Sequence, residues 1–177
     1  MWVAMRPLGL MGCVLLVLSG MGEAAFGSSV AGASVIRRGG VEVGSPGSWR
    51  LIVPAGEASF TDPKTVLVVG SPGVTASLTS SCQIAAYRLP ADGAVVVIVR
   101  WRTITSGGGR PPTGRASLKS LAHVSRPSFE CFRGRGAVAQ LSLSGHAYQV
   151  NVMVGDRASP ARVRQALAVA RSFNLAH

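Results

Sequence analysis

Carboxylates, histidines and cysteines are scarce in this chain of 177 residues: seven Asp and Glu, three His and three Cys. There is no C-x-x-C, no H-E-x-x-H and no Cys/His cluster, so the common zinc-ligand patterns are excluded. No G-x-S-x-G elbow or S-x-x-K occurs, and Gly107-Gly108-Gly109 lacks the Lys-Ser/Thr that follows a phosphate-cradling loop. Paired-carboxylate chemistry needs two acids within about 10 Å. Asp62 precedes proline, Asp92 precedes glycine and Asp156 follows glycine, positions that turns and caps explain; Glu42, Glu57 and Glu130 form no evident pair. His123 and His146 lie in no motif that would set either beside a nucleophile. The reading is therefore non-enzymatic, with no catalytic residue, metal or cofactor expected. An enzyme whose site is too dispersed to recognise is the alternative.

A long hydrophobic run is also missing. The N-terminal apolar stretch covers about 15 residues up to Gly22, and a spanning helix needs about 20. Arg6, then Leu8 to Leu18, then small residues is the layout of a secretory signal peptide, expected over residues 1–27. Ala25-Phe26-Gly27 favours cleavage before Ser28; Ala31-Gly32-Ala33 is a second possible exit, and Met5 a second possible initiator. A retained membrane anchor is the runner-up. Lipidation at Cys13 is a weaker alternative, because Leu10-Met11-Gly12-Cys13 sits at the start of the apolar run, not its end. No Arg-Arg pair precedes the run, so a twin-arginine signal is not supported.

What is abundant is arginine. The formal net charge is +11 and stays there after loss of Arg6 and Glu23; 16 of the 18 basic residues are Arg. Such a balance suits a polyanionic partner. GC-rich coding sequence produces the same bias, and the arginines are scattered with no block of five or six. The 150 residues after the leader suffice for one domain with a substantial core.

Along the chain, residues 28–47 are small and Gly-rich and read as a flexible lead-in to a single domain over 48–177. Strands are expected at Ser48–Pro54, Thr65–Gly70 and Ala94–Arg102; the last is apolar enough to be buried on both faces. Ser81–Pro90 fits a short helix with Ile84 and Leu89 inward. Thr105–Ser117 reads as a loop carrying Arg110 and Arg115. Ala137–Ser144 and His146–Gly155 make a hairpin about Ser144-Gly145. Ser159 as N-cap and Pro160 at the first position open an amphipathic helix with the stripe Val163, Leu167, Ala170 and Phe173. Arg162, Arg164 and Arg171 lie largely off that stripe.

After leader removal only Cys82 and Cys131 remain, an even pair in an exported chain, and a disulfide between them is expected. Closing a loop of about 50 residues would stabilise the fold by about 4 kcal/mol on the chain-entropy model. Arg133 and Arg135 alternate with glycines just beyond Cys131. With Arg110 and Arg115 they form the expected polyanion-contact surface.

Cys82, LPADGAVVVIV, RPSFEC and GHAYQVNVMVG leading to a helix ending ARSFNL resemble a group of uncharacterised exported actinobacterial-type proteins with a two-cysteine α+β domain. The resemblance spans about residues 49–175 and departs from the group at FRGRG and at Arg171-Ser172-Phe173. It implies export and a disulfide and supplies no substrate. In architecture alone, a curved antiparallel sheet with a closing helix is similar to the small sandwiches of the PsbP and Mog1 type, a likeness that carries no function.

The fold expected is α+β: an antiparallel sheet covered by a C-terminal helix, with one short additional helix. The function expected is an exported cell-envelope or extracellular binding domain, its partner an acidic envelope polymer or another envelope protein. Nucleic acid is disfavoured, and membrane contact is expected only if the N-terminal segment is retained.

Overall fold

A computed structural model describes residues 33–53, 62–77, 82–102, 111–125 and 131–177. The calls on residues 1–32, including the leader and Cys13, and on Arg110 lie outside them. The chain is α+β, with antiparallel sheets and one α-helix near the C-terminus.

Ala33–Arg38 (β1) and Val41–Pro46 (β2) pair as a hairpin. Gly39 and Gly40 both take positive φ, 61° and 78°, the two-residue turn whose twist suits the flanking strands. Val41, Val43 and Ser45 are buried on alternate positions. Residues 33–46 are thus ordered strand and not the flexible lead-in expected, and Val41 and Val43 share a core with Val96 and Phe173. The folded body therefore begins before residue 48. The end of α1, described below, is tied to this strand: the Gly44 N–H donates to Ser172 Oγ at 2.8 Å.

The central sheet is built from Arg50–Leu51 (β3) and Lys64–Gly70 (β4). Beside these two, Thr75–Ala76 (β5) and Tyr87–Arg88 (β6) form a separate pair. Ala94–Trp101 (β7), Arg135–Leu143 (β8) and His146–Val154 (β9) complete the central sheet in the order β3-β4-β7-β9-β8. Ser144 and Gly145 turn β8 into β9 with φ of 46° and 79°. Along β7 the side chains alternate between two cores. Ala94, Val96 and Ile98 enter one, and Val95, Val97 and Val99 the other.

In Pro160–Arg171 (α1), Ser159 Oγ accepts the Arg162 N–H at 3.2 Å and Pro160 takes the first position. Ala166, Leu167, Val169, Ala170 and the following Phe173 share the first core with Val43, Val96 and Val150. Asn174–Leu175 (β10) then adds to β2.

The outer edge of β8 is clipped twice. Ser125 and Gly136 exchange backbone hydrogen bonds of 2.7 and 2.8 Å, and Ser142 bonds Pro112 and Gly114 at 2.8 and 2.9 Å. Between the clips runs a 3-10 helix, Arg115–Ser120, with Leu118 buried in the first core and Leu121 just beyond it. Residues 115–117, expected in a loop, belong to this helix. The clips occupy backbone groups that would otherwise template pairing with another chain.

The short helix expected over 81–90 is not formed in the described part: 82–86 turn, and Tyr87–Arg88 extend as β6. Tertiary contacts override the local pattern. Gln83 Nε2 donates to the Pro63 carbonyl at 2.6 Å, while Ile84 and Tyr87 are buried in the second core with Val68, Val97 and Met153. Of the strand expected over 48–54, the described residues 48–53 form only the two of β3, and residue 54 lies outside them.

Candidate anion-contact surface

Strand register sets the basic side chains at one end of the sheet. Lys64 on β4 stands opposite Arg100 on β7, and Arg100 stands opposite Tyr148 on β9. Directly opposed residues share a face, and like charges in that arrangement destabilise a sheet. Arg102 follows on the same strand side; its backbone N–H donates to Asp62 Oδ1 at 2.8 Å. Tyr148 is buried, with its ring centroid 5.3 Å from that of Phe173 and 6.5 Å, edge-on, from that of His146. Phe173 lies two residues past the last residue of α1, so the C-terminus of the helix meets this same end.

Two more cations meet there. Arg115 Nη2 donates to the Arg171 carbonyl at 3.0 Å, and Arg171 Nη1 donates to the Leu121 carbonyl at 3.4 Å. The negative end of the helix dipole favours both charges. Each guanidinium is anchored through one N–H to a main-chain oxygen, out of five it can donate. Among the described residues the ion pairs are Arg37–Glu42, at 2.7 Å, and Arg162–Asp92, at 3.8 Å. Neither includes Lys64, Arg100, Arg115 or Arg171.

The opposite end differs. Asp92 Oδ1 accepts the Ser159 N–H at 2.6 Å, its carbonyl accepts Arg162 Nε at 3.1 Å, and its carboxylate pairs with the same guanidinium. Arg135, opposite Val154, and Arg133 are exposed near this end. Arg115, by contrast, follows the clip at Ser142. Six residues of strand, about 20 Å, separate that clip from the one at Gly136. The expected surface of Arg115, Arg133 and Arg135 is therefore divided between two ends of β8. Sequence reading missed Lys64, Arg100 and Arg102 because only cross-strand register aligns them. It placed Arg171 off the apolar stripe but gave no sign of its contact with Arg115.

On the other sheet face Asn151 is fully buried and Gln149 is 7% exposed. Asn151 Nδ2 donates to the Val97 carbonyl at 3.2 Å, Gln149 Nε2 to Asn151 Oδ1 at 2.8 Å, and Gln140 Nε2 to Gln149 Oε1 at 2.9 Å. The Val97 carbonyl can only accept, so it orients the whole row. These amides satisfy one another, and a one-residue slip of β8 or β9 would separate them. They pin register. Cys82 and Cys131 stand at disulfide distance beside this face, with a Cα separation of 6.2 Å. Cys131 takes a left-handed backbone, φ 57°. Burial pushes the Tyr87 phenol well above the usual tyrosine range, with the Arg38 charge opposing. Among the described residues no group of three or more His, Cys, Asp or Glu is placed to hold a metal. His123 and His146 are both exposed.

No protein-family model matches the chain, and no curated protein matches it.

Proposed function

We propose that this protein is an exported, non-enzymatic binding domain of the cell envelope or extracellular space, and that its partner is an acidic polymer. One observation carries the reading. At one end of the sheet Lys64 faces Arg100 and Arg115 meets Arg171, and among the described residues none of the four forms an ion pair with a carboxylate. Mutual repulsion among such groups is relieved by a bound anion. Export is supported by the leader-like N-terminus, by the likeness to exported two-cysteine proteins and by the Cys82–Cys131 pair. No helix among the described residues is long and apolar enough to cross a membrane. The reading takes α1 as the cover of one sheet face, which its shared core with β7 and β9 supports.

Nucleic acid is the less favoured polyanion. Single strands bind through basic grooves interleaved with exposed aromatic platforms. The exposed large apolar side chains among the described residues are Val35, Leu51 and Val53, none of them aromatic.

The test is binding to immobilised long-chain polyphosphate across a range of ionic strength. Affinity is expected to fall steeply with salt, because exposed charges are screened over about 10 Å at 0.1 M. A salt-independent affinity, or no binding at low salt, would remove the acidic-polymer reading.

A further inference from the structure

We infer that Lys64–Arg100 and Arg115–Arg171 are two contact points for one linear phosphate polymer, laid across the strands at this end of the sheet. The inference rests on the acidic-polymer reading and adds its geometry and ligand class.

The path is set by register. Lys64, Arg100 and Tyr148 form one transverse row over β4, β7 and β9. Tyr148 touches Phe173, two residues beyond Arg171, and Arg171 is bonded to Arg115. The 3-10 helix bearing Arg115 follows the clip to Ser142 on β8, which stands opposite Ala147, itself opposite Trp101. From β4 to that clip is four strand spacings of about 4.8 Å, or about 19 Å. The cations thus fall into two groups, Lys64 with Arg100 on β4 and β7, and Arg171 with Arg115 where the helix end meets the 3-10 helix.

Phosphate is the anion best matched. Guanidinium forks pair bidentately with phosphate oxygens, and Arg supplies three of the four charges. Arg115 and Arg171 are already held by backbone carbonyls, so less side-chain freedom is lost on binding. A chain long enough to reach both groups gains the second contact as an intramolecular event; a shorter one cannot.

The prediction is a length threshold that depends on both points. Tripolyphosphate is too short to bridge them and long-chain polyphosphate is not. The long chain should bind the wild type at least about tenfold tighter than tripolyphosphate at equal ionic strength. Lys64→Gln with Arg100→Gln, or Arg115→Gln with Arg171→Gln, should each bring the long chain down to about the short-chain affinity. Either pair should change tripolyphosphate binding by no more than about twofold. Arg133→Gln with Arg135→Gln should leave the threshold in place. Lysine at positions 100, 115 and 171, which keeps the charge, should restore part of it, and thermal melts confirm that each variant is folded.

If long polyphosphate binds but is weakened equally by the Arg133/Arg135 pair, or shows no length threshold, the two-point track is overturned while the acidic-polymer reading survives. If neither polyphosphate binds, both fail together. A single-stranded oligonucleotide of matched length is the further arm. Tighter binding by the oligonucleotide would mean that bases are read, and would overturn the assignment to a base-free phosphate chain.

Discussion

The two faces of the central sheet are held in different ways. On one, Val43, Val96, Val150, Leu167 and Phe173 join residues of β2, β7, β9, α1 and the 3-10 helix in a single core. On the other, a smaller group gathers about Val95, Val97, Val99 and Met153, with Ile84 and Tyr87 brought in by a segment that has little regular structure. That second face also carries the buried amides Gln149 and Asn151 and, beside it, the Cys82–Cys131 pair. The first face is supported by apolar area, roughly 25 cal/mol for each Å² buried. The second has less area to bury, so a covalent tether and a satisfied amide row hold what packing alone would hold weakly. One sheet thus contains two solutions to the same problem.

The sharpest way to break this contrast is to remove area from the first face. Phe173→Ala deletes a fully buried ring that packs on Tyr148. A loss of about 3–5 kcal/mol is expected, the range for large aromatic truncations. For a domain of this size each kcal/mol lowers Tm by about 2–4 °C, so a drop of roughly 6–20 °C should appear in a thermal melt. A loss below about 1 kcal/mol would mean that the first face does not depend on its area.

Next in size is the tether. Cys82→Ser with Cys131→Ser opens a loop of 49 residues and should destabilise by about 2–4 kcal/mol. The location of the effect matters more than its amount. Hydrogen exchange should accelerate first over 82–89, whose packing is on the second face, and least in α1, whose buried residues belong to the first. Uniform acceleration over both would show that the faces unfold as one unit and that the contrast has no energetic content.

The first face was much more legible in sequence than the second, for a physical reason. Helical and strand periods declare which side of an element is apolar, and so Val163, Leu167, Ala170 and Phe173 were readable as one stripe and the Ser144-Gly145 hairpin as a hairpin. The segment 82–89 declares no period. Its extended form follows from where Cys82, Gln83 and Tyr87 find partners, all distant in sequence or across a turn. The hairpin of β1 and β2 is a different kind of miss. Val-Ile-Arg-Arg-Gly-Gly-Val-Glu-Val carries the Gly-Gly turn signal between two short β-rich runs, and the small residues around it masked that signal. At the anion-contact surface, residue types were legible and juxtaposition was not. Lys64 and Arg100 are far apart in sequence and meet only through the register of β4 with β7.

The smallest effect tests the second face alone, through Tyr87. Burial among Ile84, Val97 and Met153 raises its phenol above the ordinary value of 10.0, although the Arg38 charge works the other way. A group whose pKa is raised on folding keeps its proton longer in the native state than in the unfolded one. The native state then binds more protons at alkaline pH, so the unfolding free energy falls as pH rises. Its contribution is complete below about pH 10 and is lost progressively above it. Urea midpoints measured at steps from pH 8 to pH 11 should therefore decline more steeply for wild type than for Tyr87→Phe, which has no proton to lose. The difference between the two isolates this phenol from every group that the two proteins share. Parallel curves would place the Tyr87 hydroxyl in contact with water, and the second face would then be looser than its buried valines imply.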